Sequence, residues 1–511
     1  MNRISSLLDL ILRPQAHSLK LQSIRAALWS LMEKGGSQAL RMIGSLVLTR
    51  ILYPEAFGIM ATAQIVIVMI QLFTDVGIRI SIIQNPKGAE PEFLDTAWVI
   101  CCLREAVLAA VVLLMAWPLA VVYEQPQIFG ILALMSLSPL ILGMENPALS
   151  VTIKQFRVEK KVSLEIWSQT LGLASTIVLA WLMRSVYALA IGVVLSSAYK
   201  AGGSFVVTPY RPRVAFHREY AREILHFGKY IFVNTLISFL AMNADILLIG
   251  KVLHMENLGY YTLGRNIGTL IWLVCFQIFV QSYLPAVSSV NQDPPRVVRM
   301  YERFSVMILA LTVPASMILA LFSHDIIALL YDPRYQDACI SMFWFSVSGI
   351  LLILNAVNSN TFIAMDRLRY ETISMGISLV LVLALVPLGA VHYGLAGAAA
   401  GMFTAIVVVA LAQTVFLRAG LGFPVSSLLR PWCQIAGTCG VIACMYYVLR
   451  PVLSSTRFFN IPFLVVLGMG GLASSLALFY VLQGPHPFRD RPLSPRMAGL
   501  RDGSLPHTHE R

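Results

Sequence analysis

The chain of 511 residues is 57% hydrophobic and only 13% charged. Soluble domains carry about 25% charged residues, so this composition excludes a soluble enzyme or a soluble binding module. The formal net charge of +12 falls on no basic domain set apart from the apolar runs, which excludes nucleic acid as a partner.

The opening stretch "ISSLLDLIL" contains Asp9 and runs into Arg13–Pro14. It is too short to span and has no small-residue cleavage site, so a short interfacial helix is expected within a cytoplasmic N-terminal segment, 1–25. Apolar runs long enough to cross a bilayer core then recur to the end of the chain. Six fall near 26–50, 57–83, 96–122, 127–146, 163–183 and 186–208, an N-lobe over 26–208. A basic cytoplasmic linker, 209–225, leads to six more near 226–252, 258–288, 299–322, 338–361, 371–390 and 393–417, a C-lobe over 226–417. Two last runs, near 432–449 and 459–482, lie within 418–483, and the Pro- and Arg-rich tail 484–511 is expected to be disordered. The expected fold class is therefore an all-α polytopic membrane protein of about 14 transmembrane helices. It has two pseudo-symmetric six-helix lobes plus two C-terminal helices. The alternating short strands of a membrane barrel are not seen.

An even number of spans puts both termini on one side. That side receives Arg3, Arg13, Lys20 and Arg25, then Lys154, Arg157, Lys160 and Lys161, then Arg211, Arg213, Arg218 and Arg222. The other side receives little beyond Arg184, Lys251, Arg334, Arg450 and Arg457. The positive-inside rule then places both termini in the cytoplasm. The seven cysteines fall mostly inside apolar runs and make no CxxC pair. Neither a metal site nor a disulfide framework is expected, and no cofactor, although coupling to H+ or Na+ stays open.

Two stretches align without a gap: "LVLTRILYPEAFGIMATAQI" from Leu46 and "NADILLIGKVLHMENLGYYTLGRNI" from Asn243. Arg50 meets Lys251, Glu55 meets Glu256, Gly58 meets Gly259 and Ala63 meets Gly264. "LAVVYEQP" resembles "IALLYDPR", and Asn146 with its basic sequel resembles Asn355 and "MDRLR". Spans 1–6 thus correspond to spans 7–12 in a parallel repeat, with a pseudo-twofold axis along the membrane normal, an arrangement of transporters.

Charged side chains in mid-bilayer are expensive and face a cavity or a partner. On the first span Glu33, Ser37, Arg41 and Ser45 step by four, with Lys34 and Gln38 beside them; on the second, Gln64, Gln71, Asp75 and Arg79 share a face. The seventh carries Asn243 and Asp245, and the eighth Arg265 and Gln277. These spans are the most polar and are equivalent by the repeat, so they are expected to line a shared wet cleft. The candidate cargo-binding residues are Arg265, Arg41, Arg79, Asp75, Asp245, Asn243, Lys34 and Gln277. Plainer readings stand beside them: Glu33–Lys34 snorkelling to headgroups, Asp75–Arg79 as a mutual ion pair one turn apart, Arg104–Glu105 as a packing pair, and Asp245 as a brace. Arg265 ranks first because its repeat mate, Gln64, is neutral. Cations and amides suit an anionic, hydroxyl-rich cargo, since Arg grips phosphate oxygens in pairs. Tyr260, Tyr261 and Trp272 are placed to stack on sugar rings or, for the tyrosines, to pack at the interface.

The stretch from Asn243 resembles the seventh-to-eighth helix signature of Wzx-type oligosaccharide flippases. These belong to the polysaccharide transport family of the multidrug/oligosaccharidyl-lipid/polysaccharide (MOP) exporter superfamily. "FTDVGIRISIIQNP", "EPEFLDTAWVICCLRE" and "LLYDPRYQDA" are similar to other parts of that family's pattern, and the likeness covers roughly residues 20–450. The resemblance implies an inner-membrane flippase. It would move polyprenyl-pyrophosphate-linked oligosaccharide from the cytoplasmic to the periplasmic leaflet by alternating access, for exopolysaccharide or lipopolysaccharide synthesis. The implied partners are the lipid-linked oligosaccharide, the bilayer, and a polysaccharide polymerase with chain-length proteins. A lipid II flippase differs mainly in cargo. A cation-coupled multidrug exporter calls for an acidic pocket, against which Arg41, Arg79 and Arg265 speak. A polymerase, ligase or glycosyltransferase calls for a large outer loop that the chain lacks, so no enzyme is expected.

Overall fold

The computed structural model describes residues 19–74, 77–226, 232–453 and 470–478. Among these every regular element is helical. Packing separates two compact units: Met1–Phe239 with His254–Gly259, and Leu240–Leu253 with Tyr260–Arg511.

In unit 1, α1 (Leu19–Ile51) and α2 (Pro54–Thr74) are followed by the short α3 (Ile78–Gln84) and by α4 (Pro91–Val122). Pro91 at the start of α4 supplies a preset φ where no intrahelical donor is needed. The fourth expected span is a broken one. It comprises α5 (Gln127–Met135) and α6 (Leu137–Gly143), then α7 (Ala148–Lys154), with a bend of 61° at the break. Asn146 fills that break. Its Oδ1 accepts from Ala148 N, its backbone N donates to Ser204 Oγ, and its amide donates to the Tyr210 carbonyl.

The helices α8 (Val158–Met183) and α9 (Tyr187–Val207) pack through small residues, as membrane helices do without a hydrophobic drive between them. A Cβ on Gly192 would overlap Thr176, and one on Gly172 would press on Ser196. Ion pairs then tie α1 and α9 to α8: Arg25–Glu159 at 3.6 Å, Lys161–Glu33 at 3.0 Å and Lys200–Glu165 at 2.7 Å. Glu33, expected at the headgroups, is therefore bound to Lys161.

The linker after α9 is a strap clamped to the first turns of α4. Buried Asp95 accepts from the Tyr210 hydroxyl at 2.5 Å and from Arg213 N at 2.7 Å, and Thr96 Oγ1 accepts from His217 N. Past these contacts α10 (Arg218–His226) seats Ala221 and Ile224 inward and donates from Tyr220 to Glu90 at 2.9 Å. Burial and the bond to Asp95 push the Tyr210 hydroxyl well above its usual range. The bond to Glu90, with the charges of Glu92 and Glu219 behind it, pushes Tyr220 up to about 12. Both phenols stay protonated and keep donating at any physiological pH. Asp95→Ala removes one buried acceptor from two part-buried donors. It should cost about 1.5–3 kcal/mol locally and accelerate tryptic cleavage at Arg213 and Arg218 several-fold in the folded protein. An unchanged cleavage rate would show that the strap is held by other contacts.

Unit 2 draws on α11 (Phe232–Val252) and α12 (His254–Gly268), within which the division between the units falls. After α13 (Leu270–Cys275) a π turn spans Phe276–Val280, followed by α14 (Gln281–Ser288), α15 (Pro294–Leu321) and α16 (Ser323–Leu330). The core lies between α14, α15 and α17 (Ala338–Ala364): Tyr283 stacks on Phe304 at 4.5 Å, and Tyr301 meets Phe423 edge-on. Their buried hydroxyls are satisfied, Tyr283 with Thr361 at 3.0 Å and Tyr301 with Asn358 Oδ1 at 2.9 Å.

Spans 11 and 12 are a single element, α18 (Leu368–Leu421), of 54 residues. Straight, it would reach about 81 Å, far more than a bilayer core. It folds back at Gly394, whose φ of 60° and ψ of −141° suit only glycine. The two limbs then touch backbone to backbone: Cβ atoms on Gly389 and Gly397 would each overlap the other's carbonyl. Finally α19 (Val425–Leu453) is fastened to α15 by Glu302, which pairs with Arg430 and accepts from Ser427 Oγ at 3.0 Å.

Among the described residues nine helices are long and apolar enough to cross a membrane, or ten with the bent pair counted. The folded-back α18, which holds two of the expected spans, counts once in that number. The charged α1 is not in it, and most of the span expected at 459–482 lies outside the described residues, as does the N-terminal interfacial helix. The chain is a multi-pass helical membrane protein.

Candidate functional site

The expected stripe on α1 does not share one environment. A step of four residues turns a helix by about 40° beyond a full circle, so the row spirals. Glu33 meets Lys161, Ser37 is buried, and Lys34 and Arg41 are exposed. Arg41 donates to Gln38 Oε1 at 2.7 and 3.2 Å, which holds its guanidinium against its own helix.

Asp75 lies outside the described residues, so its pairing with Arg79 is not placed. Arg79 makes a 2.6 Å ion pair with Glu145, beside the helix break at Asn146, and its side chain stays 65% exposed. Arg104 and Glu105 pair with each other at 2.6 Å.

In unit 2, Arg265 and Asp245 come together. Asp245 is fully buried, and Arg265 Nη1 reaches both its oxygens, at 2.7 and 2.9 Å. Arg265 Nη2 donates to the Met242 carbonyl at 2.6 Å, and the Tyr261 hydroxyl donates to Asp245 Oδ2 at 2.7 Å. The guanidinium also stands 5.5 Å from the Phe345 ring centre. Two glycines allow this. Cβ atoms on Gly264 and Gly268 would collide with Ala338–Met342 and with Phe345 of α17, so glycine lets α12 lie close on α17.

Tyr261 is wholly buried and Tyr260 is 9% exposed, so neither offers a ring face to a sugar. Of the two readings of these tyrosines, stacking on sugar fails and packing holds, but inside the protein: Tyr261 lies edge-on to Phe345 of α17 and Tyr260 edge-on to Tyr335, just before α17. The repeat register also gives the cluster a history. Gly44, Met60 and Gln64 stand in the first half where Asp245, Tyr261 and Arg265 stand in the second. Asn243 is half-buried near the cluster in sequence, and Gln277 is half-buried within the π turn. Such turns recur at functional sites because they re-aim the side chains that follow. Sequence reasoning missed Glu145 and Lys161, the partners of Arg79 and Glu33. No local signal marks a partner so far away in the chain.

One contact repeats the symmetry in atoms. Within unit 1, a Cβ on Gly58 would overlap the Met255 carbonyl, and a Cβ on Gly259 would overlap the Pro54 carbonyl. Since Gly58 matches Gly259 and Pro54 matches Met255 in the repeat, the contact is reciprocal in the register of the repeat.

Residues 47–340 match the family described as "Polysaccharide biosynthesis protein". The match covers more than half of the chain. This protein belongs to that family. Its match begins one residue into the first copy of the repeated stretch and ends after the second, so it encloses both halves of the reciprocal contact and the Asp245–Arg265 pair. Among relatives of this family member, "Lipopolysaccharide biosynthesis protein WzxC" of Escherichia coli K12 is 23% identical over 65% of this chain and 68% of its own length. "Succinoglycan biosynthesis transport protein ExoT" of Rhizobium meliloti is 22% identical over 52% of this chain, and the match spans only 54% of that protein. In fold, the chain is similar to lipid II flippase MurJ in an inward closed conformation. The TM-score is 0.66 and the identity 12%, over 89% of this chain and 98% of that one. The resemblance read from the sequence thus stands: a polysaccharide-family member on a flippase fold.

Proposed function

We propose that the protein is a flippase of the bacterial inner membrane. It moves polyprenyl-pyrophosphate-linked oligosaccharide repeat units from the cytoplasmic to the periplasmic leaflet, for exopolysaccharide or lipopolysaccharide synthesis. Both termini lie in the cytoplasm, and a polymerase with its chain-length proteins takes the product. The observation that carries this reading is the family match across both repeats, joined to a flippase fold. No covalent bond is made or broken. The task is to lower a transfer barrier, since a diphosphate and many hydroxyls dragged through hydrocarbon would cost tens of kcal/mol.

The protein's part is to offer donors in place of water. In unit 1 the exposed Arg41, Lys34 and Arg79 are the candidates to hold phosphate oxygens, and in unit 2 Arg265, oriented by Asp245, with Asn243 and Gln277 offering amides. Exchange between inward- and outward-open forms carries the head group across while the lipid tail stays in the bilayer. Deleting the gene should abolish one surface polysaccharide and leave its lipid-linked repeat unit on the cytoplasmic leaflet. A deletion strain with normal polysaccharide would reject the reading. The likeness in fold to a lipid II flippase supports a second cargo, and rescue of a strain depleted of that activity would favour it.

A further inference from the structure

Glu371 sits in the first turn of α18, and only 8% of it is exposed. The Ser359 hydroxyl of α17 lies beside its carboxyl, yet its Oε2 has no partner among the described residues. The same Ser359 oxygen accepts from Gln413 Nε2 at 3.2 Å. Gln413 comes from the returning limb of α18, is fully buried, and has an unpartnered Oε1. Three helical passes of unit 2 therefore converge on one hydroxyl. One turn before Ser359, Asn355 adds a further buried Oδ1 without a partner. The unsatisfied atoms of Glu371, Gln413 and Asn355 are all acceptors, and the one orphaned donor beside them in sequence, Asn358 Nδ2, belongs to a side chain already bound to Tyr301.

No cation supplies it. Glu371 makes no ion pair among the described residues. The facing part of α17 has no ionisable side chain between Cys339 and Asp366, and the returning limb has none between Tyr393 and Arg418. On its own element Arg367 and Arg369 lie at the helix start, and Arg369 is 5.2 Å from the Tyr370 ring centre. Hard metal cations gather about six oxygens or more. Glu371, Ser359, Gln413 and Asn355 offer fewer, whereas a proton needs only one. Burying an unpaired carboxylate is costly enough that such a group ordinarily neutralises.

We infer that Glu371 is a proton-binding site, occupied in this conformer at its unpartnered Oε2, whose proton is released to water when α17 and α18 loosen during the transport cycle. The release step rests on the proposed transport function; the protonation does not. Sequence reading left the coupling ion open, and this site gives it a residue.

The test uses the full-length protein in lipid nanodiscs, without cargo. The infrared spectrum at neutral pH should contain a protonated-carboxyl band that Glu371→Gln removes and Glu371→Asp shifts. Gln keeps the shape of the neutral acid, so the variant should fold. Identical spectra for wild type and Glu371→Gln would overturn the site, as would a band that sodium ions displace at fixed pH. In proteoliposomes, wild-type flipping should rise several-fold under an imposed pH gradient and Glu371→Gln flipping should not respond. An equal response in both would overturn the coupling. If no variant flips any cargo, the flippase reading fails while the spectrum still decides Glu371.

Discussion

Asp245→Ala should destabilise the folded protein by about 3–5 kcal/mol, among the larger single-residue losses available in unit 2. The magnitude follows from what is left behind. Asp245 is fully buried and takes two bonds from Arg265 and one from Tyr261. Its removal leaves the wholly buried Tyr261 phenol without its acceptor and the Arg265 guanidinium with the Met242 carbonyl alone. The cost is therefore that of an orphaned charge, not the worth of the pair. Replacing both partners by apolar residues, Asp245→Leu with Arg265→Met, should recover most of the loss. Thermal unfolding of the three proteins in one detergent measures this. The double variant also separates two roles for Arg265. If Arg265 only braces α12 against α11, the double variant transports as it folds; if Arg265 holds cargo phosphate, it folds and fails to transport.

Leucine at Gly58 or at Gly259 should abolish transport and sharply reduce folded protein. Even an alanine should cost about 1–3 kcal/mol at either position, because the added methyl meets a carbonyl and backbone does not move aside as a side-chain tip would. The two substitutions press on the two halves of one reciprocal contact, so their effects should be similar in size and less than additive together. Gly202→Leu is the control, since nothing stands within 4 Å of a Cβ there. Normal transport by Gly259→Leu would mean that the close approach of Pro54–Gly58 to Met255–Gly259 is not kept in the working protein.

The gap-free register of the two repeats was legible because glycine and charge positions recur at one offset, and the structure turns that register into the Gly58–Gly259 contact. The membrane class and nine or ten of the spans, among the described residues, were legible from apolar run length. The join between spans 11 and 12 was legible only as a short gap, because one residue, Gly394, turns the chain without any loop. Periodicity told which face of a helix is polar but not what that face meets. Arg79 with Glu145, and Glu33 with Lys161, are settled by tertiary packing across long separations. The linker 209–225 read as a basic loop, because the acceptors that clamp it, Asp95 and Glu90, sit in another part of the chain. Tyr261 was read from its aromatic chemistry, and packing against α17 decided otherwise.

The most direct measurement is flipping itself. Purified protein is reconstituted into liposomes that carry a labelled polyprenyl-pyrophosphate oligosaccharide in both leaflets, and an impermeant enzyme trims the sugars it can reach from outside. With the wild-type protein the protected inner pool should become accessible within the assay, and with Gly259→Leu it should stay protected. An inner pool that remains protected with the wild type, in vesicles where the protein is shown to be folded, would contradict the account.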